Sequence, residues 1–278
     1  MEELAQIAAI LGVYAAFVVV EYLAGRFTQP KARPGDGLIE LISTLTILLV
    51  TIPAIYVAGA ALTEYLAPGS HDALAALNPL LMFAILLVAD DMSQYWWHRT
   101  AHRVPWLYQF HRAHHEAQYM SIRITYRNNL LYYLFMPGLW ASAVLVYLGF
   151  GEVYAIYGGL KMLVIFGAHS SVRWDEPLYR HRWLHPVAWV VERVISTPAT
   201  HAAHHGLTTA DGVTNYKGNY GNLLFFWDVL FRTAKITRRY PTAYGIENLA
   251  PVDPWQQIFY PFVRRKASHP AQAIQPAE

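Results

Sequence analysis

The chain contains no cysteine among its 278 residues. Without thiolates, iron–sulfur clusters, thiolate zinc sites and disulfides are excluded. Charge is scarce as well. Only 14% of residues are Asp, Glu, Lys or Arg, against roughly a quarter in an ordinary soluble domain. The net charge of +2 is too small, and the basic residues too scattered, for a nucleic-acid partner. Glu116 follows His115, but no histidine completes an H-E-x-x-H motif, which excludes the zinc protease signature. No haem, flavin or ferredoxin signature and no fixed-period repeat is visible.

Apolar residues, by contrast, make up 55% of the chain, arranged in runs of membrane-helix length. They cover Ile7 to Ala24, Leu38 to Leu66, Pro79 to Trp97, Leu130 to Phe150 and Val153 to Ala168. The first has no cleavage site after it and no basic residue before it, so it is expected to span rather than to be removed. The last two are joined only by Gly151-Glu152 and predict a tight hairpin. The fold expected is therefore all-α: an integral membrane bundle of about four to five helices with a histidine-rich cap. Arg26, Lys31 and Arg33 follow the first run, and Arg99, Arg103, Arg112, Arg123 and Arg127 follow the third. The loop after the second run has neither Lys nor Arg. The positive-inside rule then places the N-terminus outside, the first loop inside, the second loop outside and all later polar segments inside, at the inner membrane of a bacterium. Lys161, the basic residue deep in a late run, is expected to snorkel along the hairpin, with lining a substrate tunnel as the second reading. Residues 1–263 are expected to form one domain, followed by a disordered tail, 264–278.

What the chain has in excess is clustered histidine. His98 and His102 are spaced i, i+4, one helical turn apart on one face. His111, His114 and His115 form an H-x-x-H-H triad, repeated in His201, His204 and His205. His169 ends the fifth run. Imidazole is the commonest transition-metal ligand, and nine exceed the six or so that one ion accepts. Adjacent histidines splay by about 100° on a helix, as two neighbouring ions require. Spacing alone does not choose between iron, zinc and copper. Asp91, seven residues before His98, is placed to orient an imidazole. His181 and His185 remain open as additional ligands.

These residues resemble the sterol desaturase/fatty acid hydroxylase superfamily, membrane histidine-rich di-iron oxygenases. The likeness begins at D-M-S-Q-Y-W-W-H-R-T-A-H (91–102) and continues through F-H-R-A-H-H (110–115) and R-I-T-Y-R-N (123–128). It resumes at A-H-S-S (168–171), T-P-A-T-H-A-A-H-H (197–205) and N-Y-G-N-L-L-F-F-W-D-V-L-F-R-T (219–233). It covers about residues 85–262. It implies two iron ions held by His98, His102, His111, His114, His115, His169, His201, His204 and His205, with zinc as a substitute in purified protein. It further implies a lipid substrate, O2, a separate electron donor, and hydroxylation or desaturation of a C–H bond. Tyr95, Asp91, Asn222 and Asp228 are expected around the ligands. Two departures, Arg232 where the family has Gly and a long stretch from His205 to Asn219, are expected near the substrate mouth. The rival reading is a histidine-rich membrane metal transporter or sensor, whose ionisable residues should line the midplane.

Overall fold

The computed structural model describes residues 2–248 and 252–264. All but the first residue of the expected disordered tail lies outside them. The described residues form helices and isolated bridges, with no strand.

Helix α1 covers Glu2–Leu23. Helix α2, Asp36–Leu66, starts after Gly35, whose φ of 94° stops any helix before it. It widens into a π turn over Ile47–Thr51 ahead of Pro53, which lacks the N–H that an α turn would use. Helix α3 covers 79–103. The Asn78 side chain caps the N–H groups of Leu80 and Leu81, and Pro79 suits the first helical position. A π turn, Leu87–Met92, carries Asp90 and Asp91. Val104 is extended, as a residue before proline prefers. Helix α4, Pro105–His115, therefore folds back along α3.

After the short α5 (Leu130–Leu134), helix α6 runs through Pro137–Leu145 and a π turn to Phe150. Helix α7 is Gly151–His169. The chain reverses at Gly149, two residues before the expected joint. Its φ of 111° is in the left-handed region, and a Cβ there would lie 2.7 Å from the Ala75 backbone. Gly138, eleven residues before the turn, lies against Asp90. Lys161, twelve after it, bonds the same Asp90 at 2.6 Å. Two arms meeting one residue at nearly equal distances from the bend make a hairpin.

The cap follows: α8 (Glu176–Arg180), α9 (His185–Val194), α10 (Pro198–His204), α11 (Phe226–Leu230) and α12 (Pro254–Phe259). Thr197 and Thr200 bond reciprocally at the start of α10, a capping box. By length and composition, Asp36–Leu66 and Pro137–His169 are apolar enough to cross a membrane, the second being the hairpin just described. Large apolar side chains such as Leu49, Val57 and Ile156 face outward on them.

Ion pairs and hydrogen bonds tie the connecting segments to the helix ends. Arg127 is fully buried. It pairs with Asp36 at 2.7 Å and donates to the Ala113 carbonyl of α4. Glu21, at the end of α1, accepts from Ser121 Oγ, Ile122 N, Ser170 Oγ and Ser171 N. Lys161 does not snorkel. It is buried and paired with Asp90 beside Tyr157, because the hairpin turns it inward.

Candidate metal centre

The nine clustered histidines come together at one end of the bundle. Helix α3 brings His98 and His102, α4 brings His111, His114 and His115, and α7 ends on His169. Helix α10 and the residue after it bring His201, His204 and His205. Their nitrogens sort into two groups, each within 4.8 Å: His98, His102, His111, His115 and His204, and His114, His169, His201 and His205. Both H-x-x-H-H triads divide between the groups, so the splay at each adjacent pair serves two positions. The rings of His115 and His205, one from each group, stack with centroids 4.4 Å apart.

Within the first group, His98 Nε2 lies 2.9 Å from His111 Nε2 and 2.9 Å from His204 Nε2. His115 Nε2 lies 3.1 Å from His102 Nε2 and 3.2 Å from His111 Nε2. In the second, His201 Nε2 lies 2.9 Å from His169 Nε2 and 3.2 Å from His205 Nε2. Nitrogens bound to one ion at about 2.0–2.1 Å lie about 2.9 Å apart across a right angle and about 3.4 Å across a tetrahedral one. The spacings suit imidazoles converging on shared cations.

The outer nitrogens are equally ordered. Nδ1–H of His98 donates to the Tyr220 carbonyl, of His111 to Asn128 Oδ1 and of His114 to the Ile124 carbonyl. His169 donates to the Ile165 carbonyl and His204 to that of Gly218. This tautomer leaves the Nε2 lone pair facing inward. Burial first, then the neighbouring imidazoles, pushes His111, His114, His115, His201 and His205 well below the ordinary 6.5, and burial does the same to His204. All six are neutral, ligand-ready groups at pH 7.

The expected neighbours take other roles. Asp91 touches no imidazole. It accepts from Leu223 N, Leu224 N and Trp227 Nε1, pinning 219–233 to α3. Asp228 accepts from the N–H groups of Tyr220 and Gly221, which fixes the Tyr220 carbonyl that receives His98. Tyr95 shares a hydrogen bond with Thr233. His181 and His185 lie outside both groups, and His185 bonds the Tyr179 carbonyl. Asn128, Tyr220 and Gly218 are partners that the sequence did not single out. Two of them act through backbone carbonyls, which leave no residue-type signature.

A cavity of about 140 Å³ opens on His98, His111, His114 and His169 and reaches Ile10, Ile52 and Tyr154 between the helices. Its walls are largely apolar. Gln94 and Thr125 line it, and Gln94 Oε1 and Thr125 Oγ1 have no hydrogen-bond partner among the described residues. Asn222 also lines it. Arg232 and the stretch 206–218 do not, contrary to expectation. That stretch packs under α10, where Asn215 N bonds the Ala203 carbonyl. Arg232 is exposed with φ 59°, a conformation that favours glycine.

The fatty acid hydroxylase family matches residues 83–233, more than half of the chain. Alkylglycerol monooxygenase of Homo sapiens is 23% identical over 232 residues, 82% of this chain and 47% of its own length. The Danio rerio protein of that name is 27% identical over 143 residues, 51% of this chain and 28% of its own. This chain thus spans less than half the length of these curated relatives. No solved structure matches.

Proposed function

This chain belongs to the fatty acid hydroxylase family, and on that premise we propose that it is a membrane-bound di-iron oxygenase hydroxylating a C–H bond of a lipid. The observation that carries the proposal is the convergence of nine imidazoles in two groups, four of them lining a largely apolar cavity. His98, His102, His111, His115 and His204 would hold one iron, and His114, His169, His201 and His205 the other. Bound there, the pair would supply activation of O2 for oxidising an inert C–H bond, with electrons from a separate donor. Zinc fits the same nitrogen set in purified protein.

The chain's own groups orient and exclude. The carbonyls of Tyr220, Ile124, Ile165 and Gly218, with Asn128 Oδ1, hold the rings. The apolar wall keeps water from the reacting carbon. Gln94 and Thr125 offer hydrogen bonds to an oxygen-bearing substrate, and an alkylglycerol, the molecule in the relatives' name, meets that description. The metal transporter reading has no support in the family or the relatives.

The bilayer reading takes α1, α2, α3 and α7 as spans with α6 as a shorter arm, within one domain over residues 1–263. The cage then faces the cytoplasm of a bacterial inner membrane, because Arg26, Lys31 and Arg33 lie at that end. Lipid profiling of cells with and without the protein tests the function. The expected product is a lipid heavier by one oxygen. An unchanged lipidome with altered cell metal content would overturn it.

A further inference from the structure

Helix α9 is built inside out. Its buried side chains are Ala188 and Glu192, one turn apart. The Glu192 carboxylate, 1% exposed, is held by Arg238 at 2.8 and 2.9 Å and by Arg193 at 2.8 Å. Facing outward are Val187, Trp189, Val190 and Val194, with Trp183 just before the helix 76% exposed. A helix on water does the reverse, turning valines to the core and the carboxylate to solvent.

The apolar face does not stop at α9. Ile195 bridges Leu224, which brings α11 alongside with Phe226, Val229 and Leu230 exposed. Leu223 and Leu224 donate in turn to Asp91 of α3, whose Val88 also faces outward. The patch is thus continuous with the outer face of the bundle. Basic residues edge it. Arg180 and Arg182 are exposed just ahead of Trp183, and the Arg193 guanidinium lies 4.6 Å from the Trp189 ring. Tryptophan and arginine beside an outward apolar stripe are the chemistry of a helix lying in the headgroup–acyl boundary.

We propose that α9, with Trp183 and α11, lies in the bilayer surface as a lipid contact of the cap additional to the spans. The proposal rests on the bilayer reading above. Its consequence is mechanical. Only Ile195, Ser196 and Thr197 separate α9 from α10, so lipid contact sets the depth of His201, His204 and His205.

The absence of native cysteine makes the test clean. Full-length Val190→Cys, carrying a nitrobenzoxadiazole dye, is placed in nanodiscs whose phospholipids bear a nitroxide near the top of the acyl chain. Val187→Cys serves as a second probe of the same face. Leu49→Cys on α2 reports the spans, and Ala210→Cys, exposed in the cap, reports water. The expected result is strong quenching of residues 187, 190 and 49 by lipid nitroxide, with Ala210→Cys quenched by aqueous iodide instead. Iodide quenching at 187 and 190 while residue 49 responds to lipid would overturn the proposal. So would protection from both quenchers, which means a protein partner. Failure of residue 49 to respond to lipid would instead overturn the bilayer reading.

Discussion

Asn128 shows how one side chain holds a ligand in place. Its Oδ1 accepts from His111 Nδ1 at 2.8 Å, and its Nδ2 donates to Tyr133 OH at 2.9 Å. Replacing it by leucine leaves a buried imidazole N–H unpaired and the ring free to turn. Loss of such a partner lowers metal affinity about 10–100-fold, and Asn128→Leu is expected to do so with the fold intact. Chelator competition measures this, and unchanged affinity would show that packing against Tyr132 alone orients the ring. The residue lies in a segment the family likeness already marked, yet its role was hidden. A partner seventeen positions from His111 is found only once α4 and the following loop fold together.

At the scale of elements, the segment 219–233 works as a bracket clasped to α3 by Asp91 and closed on itself by Asp228. Arg232 sits in it with φ 59°. The left-handed conformation costs a residue with a Cβ about 1–2 kcal/mol, and glycine's greater freedom when unfolded offsets about half of that. Arg232→Gly is therefore expected to stabilise by up to about 1 kcal/mol, seen as a higher unfolding temperature. A lower one would mean that the arginine makes a compensating contact.

The helical apolar runs, the i, i+4 face of His98 and His102, and the splay of the triads were legible in the sequence, because each depends on helical periodicity; the fourth run, Leu130 to Phe150, is broken instead into α5 and α6 ahead of Pro137. The exact reversal at Gly149 was not, since it depends on how closely Ala75 approaches. The snorkelling reading of Lys161 failed for a similar reason, whereas its second reading agrees with its place in the cavity wall. Its partner, Asp90, is on another helix, and hydropathy does not show a charge neutralised across a bundle.

Over the whole molecule, burial of so many imidazoles makes metal-free stability depend on pH. His111, His114, His115, His201, His204 and His205 have folded values below the 6.5 of an unfolded chain. Below pH 6.5 the unfolded state takes up protons that the folded state refuses, so each group lowers stability by up to about 1.4 kcal/mol per pH unit. The chelated protein is expected to hold its unfolding temperature from pH 8 to 7 and to lose it steeply below about 6.5. A flat profile to pH 5 would mean that the cage is solvated. Helices α1, α3 and α7 all end on the side of the cage, where the basic loops lie.

The most direct measurement is iron per chain, by mass spectrometry, in full-length protein loaded anaerobically with Fe(II). Two irons are predicted, with fewer in both His114→Ala and His204→Ala, one variant from each group. A single iron in the unaltered chain, or two retained in either variant, would contradict the account.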